Sequence, residues 1–167
     1  MRPPKNLNNC NEDILIRPAE ADDLDGIVYL WQEMMDLHIE QDATFTLREN
    51  AADVYRPYAE DCIGNGAKLT LAAEEHGEVI GYLFGEIISP APVYPGRKWG
   101  FINEISVSEM HRNMGLGTEL LHQAERWFFK NDVERIECRI GINNPISQRF
   151  WKKHGYTGYM EVCMKEL

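Results

Sequence analysis

Apolar positions recur along this chain with two periods, and each change of period marks an element. DILIRP, 13–18, reads as a strand ended by Pro18. In EADDLDGIVYLWQEMMDLH the apolar positions Leu24, Ile27, Val28, Trp31, Met34, Met35 and Leu37 keep the i, i+3, i+4, i+7 spacing of an amphipathic helix. Asp22 or Asp23 is placed to cap its start, where an acid also suits the helix dipole. Residues 39–47 predict a polar loop, and 48–63 a weaker helix that Pro57 is expected to kink or break and Gly64-Asn65-Gly66 ends. KLTLAAEE and EVIGYLFGEIIS flank His76-Gly77, a hairpin signal. PAPVYPGRKWG, 90–100, is irregular, with three prolines and two glycines. FINEISVS, 101–108, predicts a strand whose alternation puts Phe101, Asn103, Ile105 and Val107 on one face and Ile102, Glu104 and Ser106 on the other. A helix over 115–130 carries Leu116, Leu120, Leu121, Ala124, Trp127 and Phe128 on one side, and ERIECRIGI, 134–142, is again a strand. Asn144-Pro145 opens a short helix that Gly155 closes, and YTGYMEVCMKEL predicts a final strand. The order β-α-α-β-β-β-α-β-α-β implies one α/β domain with a mixed sheet and helices on both faces.

Composition narrows the partners more than the fold. With 167 residues, 44% hydrophobic and 26% charged, the chain is long and balanced enough to bury a core without disulfides or metals. A net charge of −10 argues against nucleic acid and anionic membrane as partners, since both select clustered positive charge. No apolar run approaches the ~20 residues that span a bilayer. Cys10, Cys62, Cys138 and Cys163 form no CxxC pair or zinc spacing, so reduced thiols in the cytoplasm and no metal are expected. MRPPKNLNNCNE, 1–12, reads as a flexible polar tail, leaving 13–167 as the domain.

The chemistry concentrates in SVSEMHRNMGLGTELL, 106–121, where two helix-weakening glycines stand at the start of a helix. The first turn of a helix leaves backbone N–H groups unpaired, and with the dipole these form an anion site. Glycine admits positive φ and lets a phosphate approach without a Cβ in the way. Arg112 adds a charge-assisted donor, so Arg112-x-x-Gly115-x-Gly117 reads as a pyrophosphate cradle, a ligand-free glycine turn being the other reading of the same spacing. Neither a Walker loop nor a GxGxxG fingerprint fits.

RNMGLG, 112–117, preceded by the strand NEISVSEMH, resembles the main signature of the GNAT family of N-acetyltransferases, R/Q-x-x-G-x-G/A. NPISQRFWKKHGY, 144–156, is similar to the family's second signature, N-x-x-A-x-x-F-Y-x-x-x-G-F, at Asn144, Phe150, Gly155 and Tyr156, with Ser147 where Ala and Trp151 where Tyr are usual. The resemblance runs in element order over about 13–167. It implies a mixed, mostly antiparallel sheet of six to seven strands, with a V-shaped splay between the strands at 101–108 and 134–142. Acetyl-CoA would lie in that opening. Its pyrophosphate would rest on Arg112, Asn113, Met114, Gly115, Leu116, Gly117 and Thr118, and its pantetheine would run along Ile105, Ser106 and Val107. Asn144, Ser147, Phe150 and Trp151 complete the implied cofactor set. The implied activity is transfer of an acetyl group to a primary amine of a small molecule or peptide through a tetrahedral intermediate; a chemically impaired acyl-CoA-binding regulatory module is the alternative. Relatives are commonly dimers, so a homodimer is a further expectation.

Within that frame the residues divide the work. An alkylammonium has a pKa of about 10.4 and must lose a proton before it attacks. Glu104, a carboxylate in mid-strand among apolar neighbours, is the candidate general base, acting directly or through water. Trp151 cannot donate a proton as the usual Tyr does, which leaves the general acid unknown among Tyr94, Tyr156, Tyr159 and His111. Asn144 before Pro145 is equally an N-cap. Acceptor recognition is expected from the loops at 38–48 and 90–100, with Tyr94 and Trp99 as aromatic contacts.

Overall fold

The computed structural model describes residues 14–89, 93 and 98–165. The predicted tail and Tyr94 lie outside the described residues. Five strands, β1 (Ile14–Pro18), β2 (Lys68–Glu75), β3 (Glu78–Ile88), β4 (Trp99–Val107) and β5 (Ile136–Cys138), form one sheet in the order β1-β2-β3-β4-β5. The first three pairings are antiparallel; β4 and β5 are parallel, joined by the crossover helix α3 (Leu116–Lys130). Helices α1 (Leu24–Gln41) and α2 (Ala51–Gly64) precede β2, and α4 (Pro145–Lys153) follows β5. No helix among the described residues is long and apolar enough to cross a membrane.

The sheet buries both faces. On one, Leu69, Leu71, Leu83 and Ile102 pack against Leu116, Leu120, Leu121 and Phe128 of α3. On the other, Ala72, Tyr82 and Phe84 pack against Ile27, Leu30 and Trp31 of α1 and Tyr55, Ala59 and Cys62 of α2. That last set keeps the i, i+4, i+7 spacing, and the buried stripe carries α2 straight through Pro57 where a break was one expectation. At the start of α1, Asp23 turns its carboxylate to Arg17 at 2.6 Å and 2.9 Å and to the Glu20 N–H at 2.7 Å.

Three sequence expectations are corrected. Among the described residues the sheet has five strands, not six or seven. The strand expected over 134–142 is only Ile136–Cys138, and within the expected final strand residues 156–165 form none. Alternation shows only that a segment can be a strand; a ladder partner makes it one. None reaches 160–164, where Met160, Val162 and Met164 are exposed. The face assignment along β4 also shifts. Phe84 pairs Glu104 while Gly85 pairs Ile102, so Asn103 is an extra residue, a bulge. It resets the alternation: Ile102, Ile105 and Val107 face α3, while Glu104 and Ser106 face α1 and α2.

Candidate active site

The bulge also opens the sheet. Pairing of β4 with β5 covers Gly100, Phe101 and Ile102 and stops where the extra residue bends the strand. From Asn103 to Val107 the β5 side of β4 has no strand partner among the described residues, which leaves its main-chain groups, the Val107 carbonyl that Arg112 takes excepted, open to a ligand running beside it. This is the splay expected between the two strands. Ser106 is held from the other side: its hydroxyl donates to the Leu30 carbonyl at 3.3 Å and pins α1 onto β4.

At the end of β4 the chain makes a short 3-10 turn, Glu109–His111, and enters the glycine segment. Asn113 (φ 65°) and Gly115 (φ 89°) are both left-handed, and Gly115 is the N-cap of α3 with no side-chain cap. First-turn N–H groups without a cap, beside a left-handed turn, form an anion-binding concavity. Gly117 is informative in a different way. It is helical, and a Cβ built on it meets Phe150 at 3.5 Å and Val107 at 3.7 Å, ordinary contacts. Neither backbone conformation nor packing therefore calls for glycine there.

Arg112 has protein partners. Its Nε donates to the Val107 carbonyl at 3.1 Å and its Nη2 to Glu33 of α1 at 2.6 Å, and the same Glu33 oxygen accepts the Glu109 N–H at 2.7 Å. The guanidinium thus fastens the cradle's entry to α1. Phe150 is half-buried against Gly117, and Thr118 Oγ1 lies 3.2 Å from His154 Nε2, which brings α4 to the cradle. Asn144 caps α4, its Oδ1 accepting the Ser147 N–H at 2.9 Å. Trp151 is buried in the α3-side core, edge-on to Tyr156 with ring centroids 4.8 Å apart.

Glu104 sits on the α1/α2 face of β4, beside the open part of the strand. Tyr55 of α2 donates to its Oε2 at 2.5 Å and Tyr82 of β3 to the same oxygen at 2.8 Å. Tyr55 is itself stacked on Trp31 of α1, centroids 4.2 Å apart. Burial pushes the Glu104 carboxyl above its ordinary value, against the lowering pull of the two phenol hydrogen bonds. Burial and the Glu104 charge push both phenols well above theirs, so both remain protonated donors. Sequence reasoning missed these two tyrosines. The signal available was a Tyr in the apolar run of β3 and another on the buried stripe of α2, since a buried phenol needs a partner.

Of the general-acid candidates, His111 is engaged by Ser108 Oγ at 2.6 Å and Glu75 Oε2 at 3.1 Å, and Tyr156 donates to Glu125 at 3.4 Å. Tyr159 is exposed. Trp99 opens β4 under Arg135, with 5.2 Å from guanidinium to ring, and is five residues, roughly 16 Å of strand, from Glu104.

An uncapped helix start with a left-handed glycine thus follows a strand that has an open edge and carries a buried carboxylate of raised pKa. The acetyltransferase (GNAT) family model matches residues 31–156, and the chain belongs to that family, whose members use acetyl-CoA. An uncharacterised N-acetyltransferase of Methanocaldococcus jannaschii is 29% identical over 87 residues, 50% of this chain and 49% of that protein, so the match spans about half the length of that relative. Among solved structures, the tetramutant of a Bacillus halodurans protein superposes with a TM-score of 0.83 at 18% identity, covering 92% of this chain and 99% of the other. An aminoglycoside N-acetyltransferase in complex with CoA superposes with a TM-score of 0.73 at 16% identity, covering 92% and 94%.

Proposed function

We propose that this domain, residues 13–167, moves an acetyl group from acetyl-CoA directly to a primary amine. The observation that carries the reading is Glu104: a carboxylate with a raised pKa beside the open stretch of β4, one residue before the main chain along which the cofactor would run. The residues present fit the group. Gly117 leaves room at an uncapped helix start, and β4 offers an unpaired edge. The N–H groups of Gly115, Leu116, Gly117 and Thr118 would take the pyrophosphate, and Ile105, Ser106 and Val107 the pantetheine arm. When bound, acetyl-CoA supplies an activated acetyl thioester.

The chain's own groups do the rest. Glu104 accepts the ammonium proton, directly or through water, and its raised pKa brings it closer to the acceptor's than an ordinary carboxylate. A main-chain N–H near Ile105 would stabilise charge on the thioester oxygen. Trp151, buried in the core, cannot donate a proton as the usual Tyr does, and a thiol of pKa about 8.5 can leave as its anion. Release of CoA thiol across a panel of amines, with polyamines, amino sugars and peptide N-termini represented, tests the reading. CoA binding without release for any amine would instead establish a binding module.

A further inference from the structure

The base has a built mount. Tyr55 reaches Glu104 from α2 and Tyr82 from β3, and both hydroxyls converge on the same oxygen, Oε2. No described residue donates to Oε1. Tyr82 is fully buried, and Tyr55 is clamped between Glu104 and the Trp31 ring, 4.2 Å away and 7° from parallel. Neither phenol can turn away without uncovering a buried polar group.

We propose that Tyr55 and Tyr82 are positioning residues for the base: by occupying Oε2 together they fix the plane of the carboxylate and leave Oε1 as the oxygen that takes the acceptor's proton. The inference rests on the reading of Glu104 as base. In the step, an N–H bond of the ammonium breaks as an O–H bond forms on Oε1, its electron pair staying on nitrogen; where a water intervenes, the water takes the ammonium proton as it gives one of its own to Oε1, and it is water again at the end. On α2, Tyr58 and Cys62 stand near Glu104, both pushed up by burial, so both stay neutral while Glu104 titrates; the Lys68 ammonium of β2 lies behind them, 3.6 Å from Cys62 Sγ and 5.5 Å from the Tyr58 ring centroid. From β3, Glu86 stands on the same sheet face and holds the Asn103 amide at 2.9 Å; α1 contributes the uncharged Trp31 ring.

Two hydrogen bonds to the ionised form favour it, so removing either raises the pH at which Glu104 loses its proton. Tyr55→Phe and Tyr82→Phe are each expected to move the acid limb of kcat/KM to higher pH while the alkaline plateau is kept. Each unit of movement means an about tenfold loss of rate at a fixed pH on the acid side. A purely structural role would lower the rate equally at every pH. The carboxyl carbon resonance of Glu104, titrated in the unliganded protein, gives a second readout independent of turnover and is expected to move the same way. An unmoved limb and an unmoved titration in Tyr55→Phe overturn the proposal, and that variant decides alone if Tyr82→Phe does not fold. Failure of the base reading looks different: Glu104→Gln would retain turnover while the carboxyl titration still moved in Tyr55→Phe.

Discussion

Gly117→Ala separates two reasons for a glycine at the start of α3, because they carry opposite signs. If glycine served the fold, a methyl would cost stability. The structure leaves room: the added Cβ lies 3.5 Å from Phe150 and 3.7 Å from Val107, and the residue is helical. Alanine in a compatible conformation stabilises by about 0.4–1 kcal/mol, mainly by restricting the unfolded chain. In a domain of this size that is roughly 1–4 °C in Tm. The same methyl stands among the first-turn N–H groups assigned to the pyrophosphate. Holding the phosphate off one or two such donors forfeits about 1.5–3 kcal/mol per charge-assisted hydrogen bond, or roughly 10–150-fold in Kd for one bond. Scanning fluorimetry and calorimetric titration with CoA read the two quantities on one sample. Gly115→Ala is the control, since φ there is 89° and a side chain costs about 1–2 kcal/mol whatever the ligand does. A Tm that falls in Gly117→Ala, or a CoA affinity that does not, refutes the assignment.

The other predictions concern the base and the frame. Glu104→Gln is expected to cut turnover by about 10²–10⁴. It should not cost stability at neutral pH: a raised folded pKa means the folded state holds the proton longer, so ionised Glu104 loses stability as pH climbs above the unfolded value of about 4.3, and denaturant titrations at pH 5 and pH 7 check this. Gly100→Ala sets a Cβ 2.6 Å from the Phe128 ring, which is fully buried, and should lose about 1–3 kcal/mol by denaturant unfolding. For Asp23, burial raises the carboxyl, but Arg17 and the Glu20 N–H more than reverse it, so the folded pKa is low. Its contribution is full above the unfolded value of about 3.9 and fades as pH falls below it; Asp23→Asn should flatten the acid side of a Tm–pH curve and lose about 1–3 kcal/mol at neutral pH.

Local pattern carried the element order as far as α4, the hairpin at His76-Gly77 and the left-handed glycine turn before α3 into view, because helix periodicity, turn residues and positive φ are decided within a few residues. The two signatures, 112–117 and 144–156, were readable for the same reason. What tertiary structure decided involves residues far apart in the chain. Tyr55 lies 49 positions from Glu104 and Glu33 lies 79 from Arg112, and no local pattern links them. The bulge at Asn103 belongs to this class: it exists only as a mismatch between β4 and β3, yet it puts Ile102 and Glu104 on opposite faces and ends the pairing with β5. The last segment shows the converse, since its alternation is a strand's and the fold gives residues 156–165 no ladder to join. Periodicity states what a segment can pair with; only the assembled sheet, where every buried donor must find an acceptor, settles whether it does.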